Sequence, residues 1–197
     1  MDKNQEFEKI PPSMQNLEHE ARRYAHRRTV GRLLRKGIFK LLVVASLVVL
    51  IFSLWLPVFR VTGISMEPTM EDGEYVLAVR TRHFNPGDVI AFHYNNEILV
   101  KRVIALAGDW VNIDGDGTVY VNNVPCYEPY IQEKSLGICD IPLPFQVPDG
   151  ETFVMGDDRP VSLDSRTAMV GTVSGRQVLG RVVFKLWPLN ELGPVGQ

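Results

Sequence analysis

The sequence predicts a mainly β domain, of barrel or sandwich type, that follows one N-terminal transmembrane helix. Three observations support this prediction. An uncharged run of nineteen residues, 41–59, comes before the domain. After residue 60 the apolar runs are short, and turn residues separate them. No stretch in that part keeps a long 3.6-residue period, so strands are expected there rather than helices.

The apolar run, LLVVASLVVLIFSLWLPVF, is long enough to span a membrane. At about 1.5 Å per helical residue it reaches nearly across a hydrocarbon core of ~30 Å. A buried core helix and a cleaved signal peptide are the alternatives. The signal peptide is disfavoured because about forty residues precede the run and no small-x-small site follows it closely. Trp55 and Phe59 near the far end suit an interfacial aromatic belt.

The charges before this run predict its orientation. Residues 21–40 contain no acid and eight cations: Arg22, Arg23, Arg27, Arg28, Arg32, Arg35, Lys36 and Lys40. The positive-inside rule then makes residues 1–40 a basic cytoplasmic tail, 41–59 the membrane helix and 60–197 an outside domain. We expect a single-pass protein of the cell membrane, in contact with the lipid bilayer. A nucleic-acid partner is not expected, because the basic cluster precedes an apolar run and does not cover a folded domain.

Seven stretches after residue 60 have the composition of strands: 75–80, 88–94, 98–106, 110–113, 119–121, 152–155 and 178–187. Among them, VNIDGDGTVYV predicts a hairpin with a glycine-containing loop. Short strands at roughly 8–12-residue spacing are typical of a β-barrel or sandwich. Cys126 and Cys139 both fall in the outside part, where a disulfide or two unpaired thiols are equally compatible with the sequence.

Three segments contain side chains that could do chemistry. In the first, Ser65 lies between Gly63, which permits an unusual backbone angle, and Pro68, which fixes one. A nucleophile benefits from such a turn, although an ordinary surface turn has the same composition. In the second, Lys101 shares a strand face with apolar residues. Burial would lower its pKa towards 7–8 and leave a neutral base, whereas an exposed edge-strand lysine would keep its charge.

The third segment, 156–166, holds three acids, two arginines and two serines after an apolar strand. Such groups can orient a neighbouring side chain, although a solvated loop is the usual fate of a charge run. Histidine offers a competing base, and only His83 and His93 lie on the outside with Ser65. No Cys/His set has metal-ligand spacing and no phosphate-binding loop is present, so neither a metal nor a cofactor is expected.

Together these segments resemble the bacterial type I signal peptidases, a family of Ser–Lys serine proteases. The motifs that carry the resemblance follow one membrane span in order: Ser65-Met66-Glu67-Pro68-Thr69, Gly87-Asp88-Val89, Lys101-Arg102-Val103, the 156–166 segment, Gly180-Arg181 and Trp187-Pro188. Eukaryotic-type relatives have histidine where this chain has Lys101. Self-cleaving Ser–Lys repressor proteases share the dyad but lack a membrane span, and a membrane-tethered binding module is the non-enzyme alternative.

The resemblance implies a role for each matched residue. Ser65 would be the nucleophile, with its backbone N–H in the oxyanion hole, Lys101 the general base and Ser162 the group that orients Lys101. Supporting residues would be Asp157, Arg159, Asp164 and Arg166, with Ile64 and residues near Phe92 as guesses for the walls of two shallow substrate pockets. The implied substrates are preprotein signal peptides, cut after small residues at −1 and −3, near the secretion translocon. No cofactor is implied.

The chain departs from the family pattern at two positions. Asp158 stands where asparagine is usual, and an ionised aspartate only accepts hydrogen bonds. We predict that Asp158 pairs with a nearby arginine and leaves activity intact. Gly63 stands where some relatives have a serine whose hydroxyl supplies a second oxyanion donor, so the second donor of this chain is undefined.

Overall fold

The computed structural model describes residues 14–195, with the side chains of residues 34–50 and 52–195. Residues 1–13 of the predicted basic tail, and the side chains of its five arginines from Arg22 to Arg32, lie outside the described residues. Helix α1 runs over Met14–Trp55. Its part Leu34–Trp55 is 22 residues long with a mean hydropathy of 2.6, and is therefore long and apolar enough to cross a membrane.

The apolar helix ends earlier than residue 59. Its last backbone bond joins the Leu56 N–H to the Phe52 carbonyl, at 2.8 Å. Pro57 follows, and a proline disfavours the helical conformation of the residue before it. Strand β1, Val58–Arg60, then pairs with β2, Tyr75–Val79, so Phe59 belongs to the β domain.

The domain that follows is built of strands, and its core strands match the predicted ones to within one residue at each end. After β1 and β2 come β3 Val89–Tyr94, β4 Glu97–Leu106, β5 Trp110–Ile113, β6 Val119–Val121, β7 Val124–Pro125, β8 Phe145–Gln146, β9 Glu151–Met155, β10 Val173–Ser174, β11 Val178–Trp187, the 3-10 helix Leu189–Glu191 and β12 Gly193–Pro194. Strands β7, β8, β10 and β12 were not predicted, because two residues are too few to show a period; β1 was not predicted because its first two residues belong to the apolar run.

The described strands form two antiparallel sheets. The larger sheet has the order β1-β2-β11-β3-β4-β9-β10, with β12 beside β11, and the smaller has the order β7-β6-β5-β8. The predicted hairpin is confirmed, since Val111 faces Val121 and Ile113 faces Val119. The larger sheet ends at β1 and β10 and does not return on itself, so the barrel alternative is wrong for the described strands and the mainly β prediction is confirmed.

Strands β4 and β9 lie in the middle of the domain and are buried on both faces. Val103 and Val154 pack into one hydrophobic cluster, with Ile90 and Phe92. Ile104, Phe153 and Met155 pack into another, which covers the smaller sheet. Any charged side chain in the middle of these strands is therefore removed from water.

Cys126 and Cys139 are free and partly buried, so the disulfide alternative is not formed in the structure. Burial raises the pKa of the Cys126 thiol.

Candidate active site

Strand β4 and two loops bring three polar side chains together. The Nζ of Lys101 lies 2.6 Å from the Oγ of Ser65 and 3.0 Å from the Oγ of Ser162. Lys101 is in the middle of β4, Ser65 is in the turn after β1, and Ser162 is in the 156–166 segment after β9. Ser162 is fully buried, whereas Ser65 remains partly accessible. A hydroxyl that solvent or a substrate can reach is thus in direct contact with a buried amine.

Lys101 is buried without an ion pair in the described part of the chain. Its side chain is 2% exposed, and its two hydrogen-bond partners are hydroxyls. Burial lowers its pKa to about 8; the charges of Asp164 and Asp157 oppose this shift, and that of Arg166 adds to it. An amine with this pKa is partly neutral near pH 8, and only the neutral form can accept a proton from a hydroxyl.

The turn that carries Ser65 is held by its neighbours. Met66 and Met70 are buried in the hydrophobic cluster beneath β2, and the Met70 N–H donates to the Met66 carbonyl at 2.9 Å. The Ser65 carbonyl accepts the N–H of Asp158 at 3.2 Å, which ties the turn to the 156–166 segment. The Ser65 N–H donates to no other described residue, so it is free to bind an oxygen of a reacting group.

Gly156 makes the close approach of these two segments possible. A Cβ at this position would lie 2.2 Å from the Ser162 Oγ and 2.4 Å from the Ser65 carbonyl oxygen. No side chain fits in that space without moving one of the two serines. The 156–166 segment therefore begins with a glycine because a larger residue would collide with Ser65 or Ser162.

Asp164 and Arg166 hold the 156–166 segment in shape. The Asp164 carboxylate accepts the Gly156 N–H at 2.9 Å and the Nε of Arg166 at 2.8 Å. Arg166 also donates to the carbonyls of Arg159, at 2.9 Å, and Ser162, at 3.3 Å. Both charged side chains are fully buried, and their contacts reach the backbone on either side of Ser162. They touch no part of Ser65.

Arg102, next to Lys101 in β4, is the centre of a second polar cluster. It makes two hydrogen bonds to the Asp157 carboxylate, at 2.9 and 2.6 Å. It also donates to the Thr69 hydroxyl, at 3.1 Å, and its guanidinium lies 3.8 Å from the centre of the Tyr130 ring. Thr69 donates to Asp157 in turn. This cluster joins the Ser65 turn, β4 and the 156–166 segment.

Sequence reasoning missed two residues of this network. Glu128 forms a bidentate ion pair with Arg159, at 3.1 and 2.5 Å, and both side chains are buried. Tyr130 covers Arg102, and burial raises its pKa above the usual range. Both lie in the loop that connects β7 and β8, two strands of the smaller sheet, and belong to no motif. Thr69 could have been predicted from the sequence, because it is the last residue of the motif that contains Ser65.

One sequence prediction about this site is wrong, and two residues named for the substrate pockets lie apart from the contact between Ser65 and Lys101. Among the described residues Asp158 forms no ion pair, because Arg102, Arg159 and Arg166 are paired with Asp157, Glu128 and Asp164; the predicted arginine contact of Asp158 is wrong. The Ile64 side chain is half exposed, and Phe92 is buried in the core.

A small cleft does adjoin Ser65. It has a volume of ≈ 30 Å³, and its lining includes the apolar Val61, Met66, Leu99 and Val100 together with Arg60 and Thr62. Leu99 and Val100, which pair with Phe92 and Ala91 in the sheet, are among its lining residues, so residues near Phe92 do line the cleft, whereas Ile64 does not. His83 and His93 are both exposed, and neither contacts Ser65. The described residues contain no group of acids, histidines and cysteines that could hold a metal ion.

Comparison with known proteins identifies the family of this chain. The family described as signal peptidase, peptidase S26, matches residues 34–187. The chain belongs to the signal peptidase family. It is therefore a serine peptidase. Similar proteins include signal peptidase I of Bacillus licheniformis, 34% identical over 165 residues, which covers 77% of this chain and 88% of that protein. Signal peptidase IB of Staphylococcus aureus strain Mu50 is 36% identical over 154 residues, 68% of this chain and 78% of that protein.

A solved structure is also similar: the crystal structure of a signal peptidase I from Enterococcus faecalis V583, with 32% sequence identity and a TM-score of 0.42. The match covers 50% of this chain and 96% of that one. The family match extends from within α1 through β11, so both the apolar helix and the strands that hold Ser65 and Lys101 are part of it.

Proposed function

We propose that this chain is a membrane-anchored signal peptidase that cuts signal peptides from exported preproteins with a Ser65–Lys101 catalytic pair. The observation that carries the proposal is the 2.6 Å contact between the Ser65 hydroxyl and the buried Lys101 amine. A serine alone is a weak nucleophile, and a base within hydrogen-bond distance activates it. Membership of a serine peptidase family supports the same assignment.

The proposed reaction uses the neutral form of Lys101. As the Ser65 Oγ attacks the scissile carbonyl carbon, its proton passes to Lys101 Nζ, and the negative carbonyl oxygen is held by the Ser65 N–H. The Lys101 ammonium then returns the proton to the leaving amine, which yields an acyl-enzyme ester and the free mature protein. A water molecule, deprotonated by Lys101, attacks the ester, releases the signal peptide carboxylate and restores Ser65.

Ser162 is proposed to orient the base. Its hydroxyl is 3.0 Å from Lys101 Nζ and is buried, so it can hold the amine in one position through both proton transfers. Asp157, Arg159, Asp164 and Arg166 are proposed to act through the backbone of the 156–166 segment and through β4. None of the four touches Ser65 or Lys101 through a hydrogen bond.

The cleft beside Ser65 is proposed to hold the residues just before the cut. Its volume of ≈ 30 Å³ leaves little room for a side chain, and its apolar lining residues, which share the cleft with Arg60 and Thr62, favour a small side chain. This supports the preference for small residues at −1 and −3. We propose Met66 and Leu99 as walls; Leu99 pairs with Phe92 in the sheet, and Ile64 is not part of the cleft.

Helix Leu34–Trp55 is proposed as a single membrane anchor in the cell membrane. The excess of Arg and Lys before it favours a cytoplasmic N-terminus, which places the catalytic domain outside, near the point where the secretion translocon delivers preproteins. The anchor would hold the enzyme in the bilayer in which its substrates are also embedded.

The test is cleavage of a preprotein by the purified full-length chain in a neutral detergent. We expect Ser65→Ala and Lys101→Ala each to lower kcat/KM by at least about 10³-fold, while His83→Ala, which alters an exposed histidine, stays within about twofold. Cut products are sequenced to locate the −1 and −3 residues. Full activity of Lys101→Ala, or a wild type that cuts no preprotein, would contradict the proposal.

The pH dependence gives a second readout. Since only neutral Lys101 accepts the serine proton, the rate constant kcat should rise with pH and level off above a midpoint near 8. A rate that is flat from pH 6 to 9 would show that a group other than Lys101 takes the proton.

A further inference from the structure

A basic pocket lies in the β domain apart from Ser65. It has a volume of ≈ 430 Å³, and its lining residues are Arg80, Thr81, Arg82, His93, Arg176, Val178 and Leu179. The residues come from the end of β2, the end of β3 and the start of β11. Three arginines and a histidine thus surround one cavity, with an apolar wall on one side. None of these residues takes part in the Ser65 site.

The three arginines have no acidic partner. In the part of the chain that the structure describes, Arg80, Arg82 and Arg176 form no ion pair, whereas the buried arginines of the same domain are each paired with a carboxylate. Three like charges around one cavity repel one another unless an anion lies between them. The guanidinium group is also the side chain best suited to bind phosphate oxygens in pairs.

The pocket adjoins the end of the apolar helix. The Arg80 N–H donates to the carbonyl of Trp55, the last residue of α1, at 3.2 Å, and the Ala78 N–H donates to the Pro57 carbonyl at 2.9 Å. Trp55 itself is exposed. In a helix that spans a bilayer, an exposed tryptophan at the end lies at the level of the lipid head groups. Arg80, which lines the pocket, is therefore joined through its backbone to the residue expected at the head-group level.

We propose that this pocket binds the phosphate head group of an anionic phospholipid in the outer leaflet. Arg82 and Arg176 would bind the phosphodiester oxygens, and Val178 and Leu179 would contact the glycerol and the first methylenes of the acyl chains. The proposal rests on the membrane anchoring given under the proposed function. A soluble phosphate offers the same oxygens but has nothing to place against the apolar wall.

The experiment measures lipid binding to the full-length chain in a neutral detergent. Fluorescent short-chain phosphatidylglycerol is titrated with protein, and its anisotropy gives the dissociation constant. We expect Arg82→Gln and Arg176→Gln each to weaken binding about fivefold, since a basic residue contributes about this much towards an anionic head group. Lys134→Gln, which removes an exposed cation from the loop between β7 and β8, should leave the dissociation constant unchanged.

Competition identifies the source of the phosphate. Unlabelled phosphatidylglycerol should displace the probe, whereas inorganic phosphate at the same concentration should not. Equal displacement by inorganic phosphate would mean a small-anion site, and displacement by an acidic peptide would mean a protein-binding site; either result overturns the proposal. Equal affinity of all four proteins would overturn it as well.

Cleavage of a preprotein by the same samples separates this proposal from the proposed function. Without lipid, Arg82→Gln and Arg176→Gln should cleave as fast as the wild type. Loss of lipid binding with intact cleavage supports the pocket. A wild type that binds lipid but cuts nothing refutes the peptidase assignment and leaves the pocket in place.

Discussion

Lys101 and Arg102 are neighbours in β4, and both are buried. Arg102 has a carboxylate to balance its charge, whereas Lys101 has no ion-pair partner among the described residues. Arg102 is completely buried and is held by the Asp157 carboxylate, the Thr69 hydroxyl and the face of Tyr130. Lys101 is 2% exposed, and its hydrogen-bond partners among the described residues are two hydroxyls. Burial is the same for both residues, so the difference lies in the partners that the fold supplies.

The contrast shows how one strand serves two purposes. A paired guanidinium stays charged and joins three segments of the domain, because the carboxylate offsets the cost of its burial. An ammonium without a carboxylate partner keeps most of that cost, and its pKa is lowered to about 8. Stability would therefore depend mainly on Arg102, and the proposed chemistry mainly on Lys101. Four substitutions test this division.

The largest effect is expected from Lys101→Met, which keeps the length of the side chain and removes the amine. We predict a fall in kcat/KM of at least about 10³-fold without loss of stability, since a general base is removed and no carboxylate loses a partner. The control is Lys134→Met, at an exposed lysine. A variant that retains cleavage would refute the role of Lys101.

The same variant has a pH-dependent stability. The folded-state pKa of Lys101 is lowered from 10.5 to about 8, so burial of its charge costs the wild type about 3 kcal/mol below pH 8, and this cost disappears as the pH rises towards 10.5. Relative to the wild type, Lys101→Met should therefore gain more unfolding free energy at pH 7 than at pH 10. Thermal unfolding in neutral detergent at the two pH values measures the difference.

Arg102→Met should act on stability. It leaves the buried Asp157 carboxylate without its ion-pair partner, and we expect a loss of about 3–5 kcal/mol in the free energy of unfolding. Adding Asp157→Asn should recover part of that loss, because the remaining group is then neutral. Denaturant unfolding in detergent measures both variants. An Arg102→Met protein as stable as the wild type would show that the Arg102 cluster does not hold the domain together.

Ser162→Ala should have a smaller effect, confined to the rate. It removes one hydrogen bond to Lys101, and a bond worth about 1–1.5 kcal/mol corresponds to about a tenfold fall in kcat with an unchanged KM. Ser174→Ala, in the short strand β10, is the control. A change in KM alone would indicate that Ser162 contacts the substrate rather than orienting the base.

Asp158→Asn should have the smallest effect. The Asp158 backbone N–H donates to the Ser65 carbonyl, and the Asp158 carboxylate forms no ion pair with the described residues. The substitution changes neither contact, so we expect cleavage rates within about twofold of the wild type. The same preprotein assay measures this. An inactive wild type that Asp158→Asn restores would show that the usual asparagine is needed.

Much of the fold could be predicted from the sequence. Strands β5, β6 and β11 have the predicted bounds, because alternating apolar residues and flanking turn residues are local signals. The end of the apolar helix was placed four residues late, since apolar composition continues past Pro57 although the helix does not. The predicted ion pair between Asp158 and an arginine was also wrong. The arginines next to Lys101 and in the 156–166 segment form ion pairs with three other acids.

The sequence by itself determined the apolar helix, the strands and the residues that match the family motifs, because each of these depends on neighbours within a few positions. It left open which face of β4 is buried, and the tertiary structure shows that both are. Glu128 and Tyr130 lie 28 or more positions from the arginines they contact. Only the folded chain decides such contacts, because a carboxylate or a ring reaches its arginine through the packing of distant segments, for which the local pattern holds no signal.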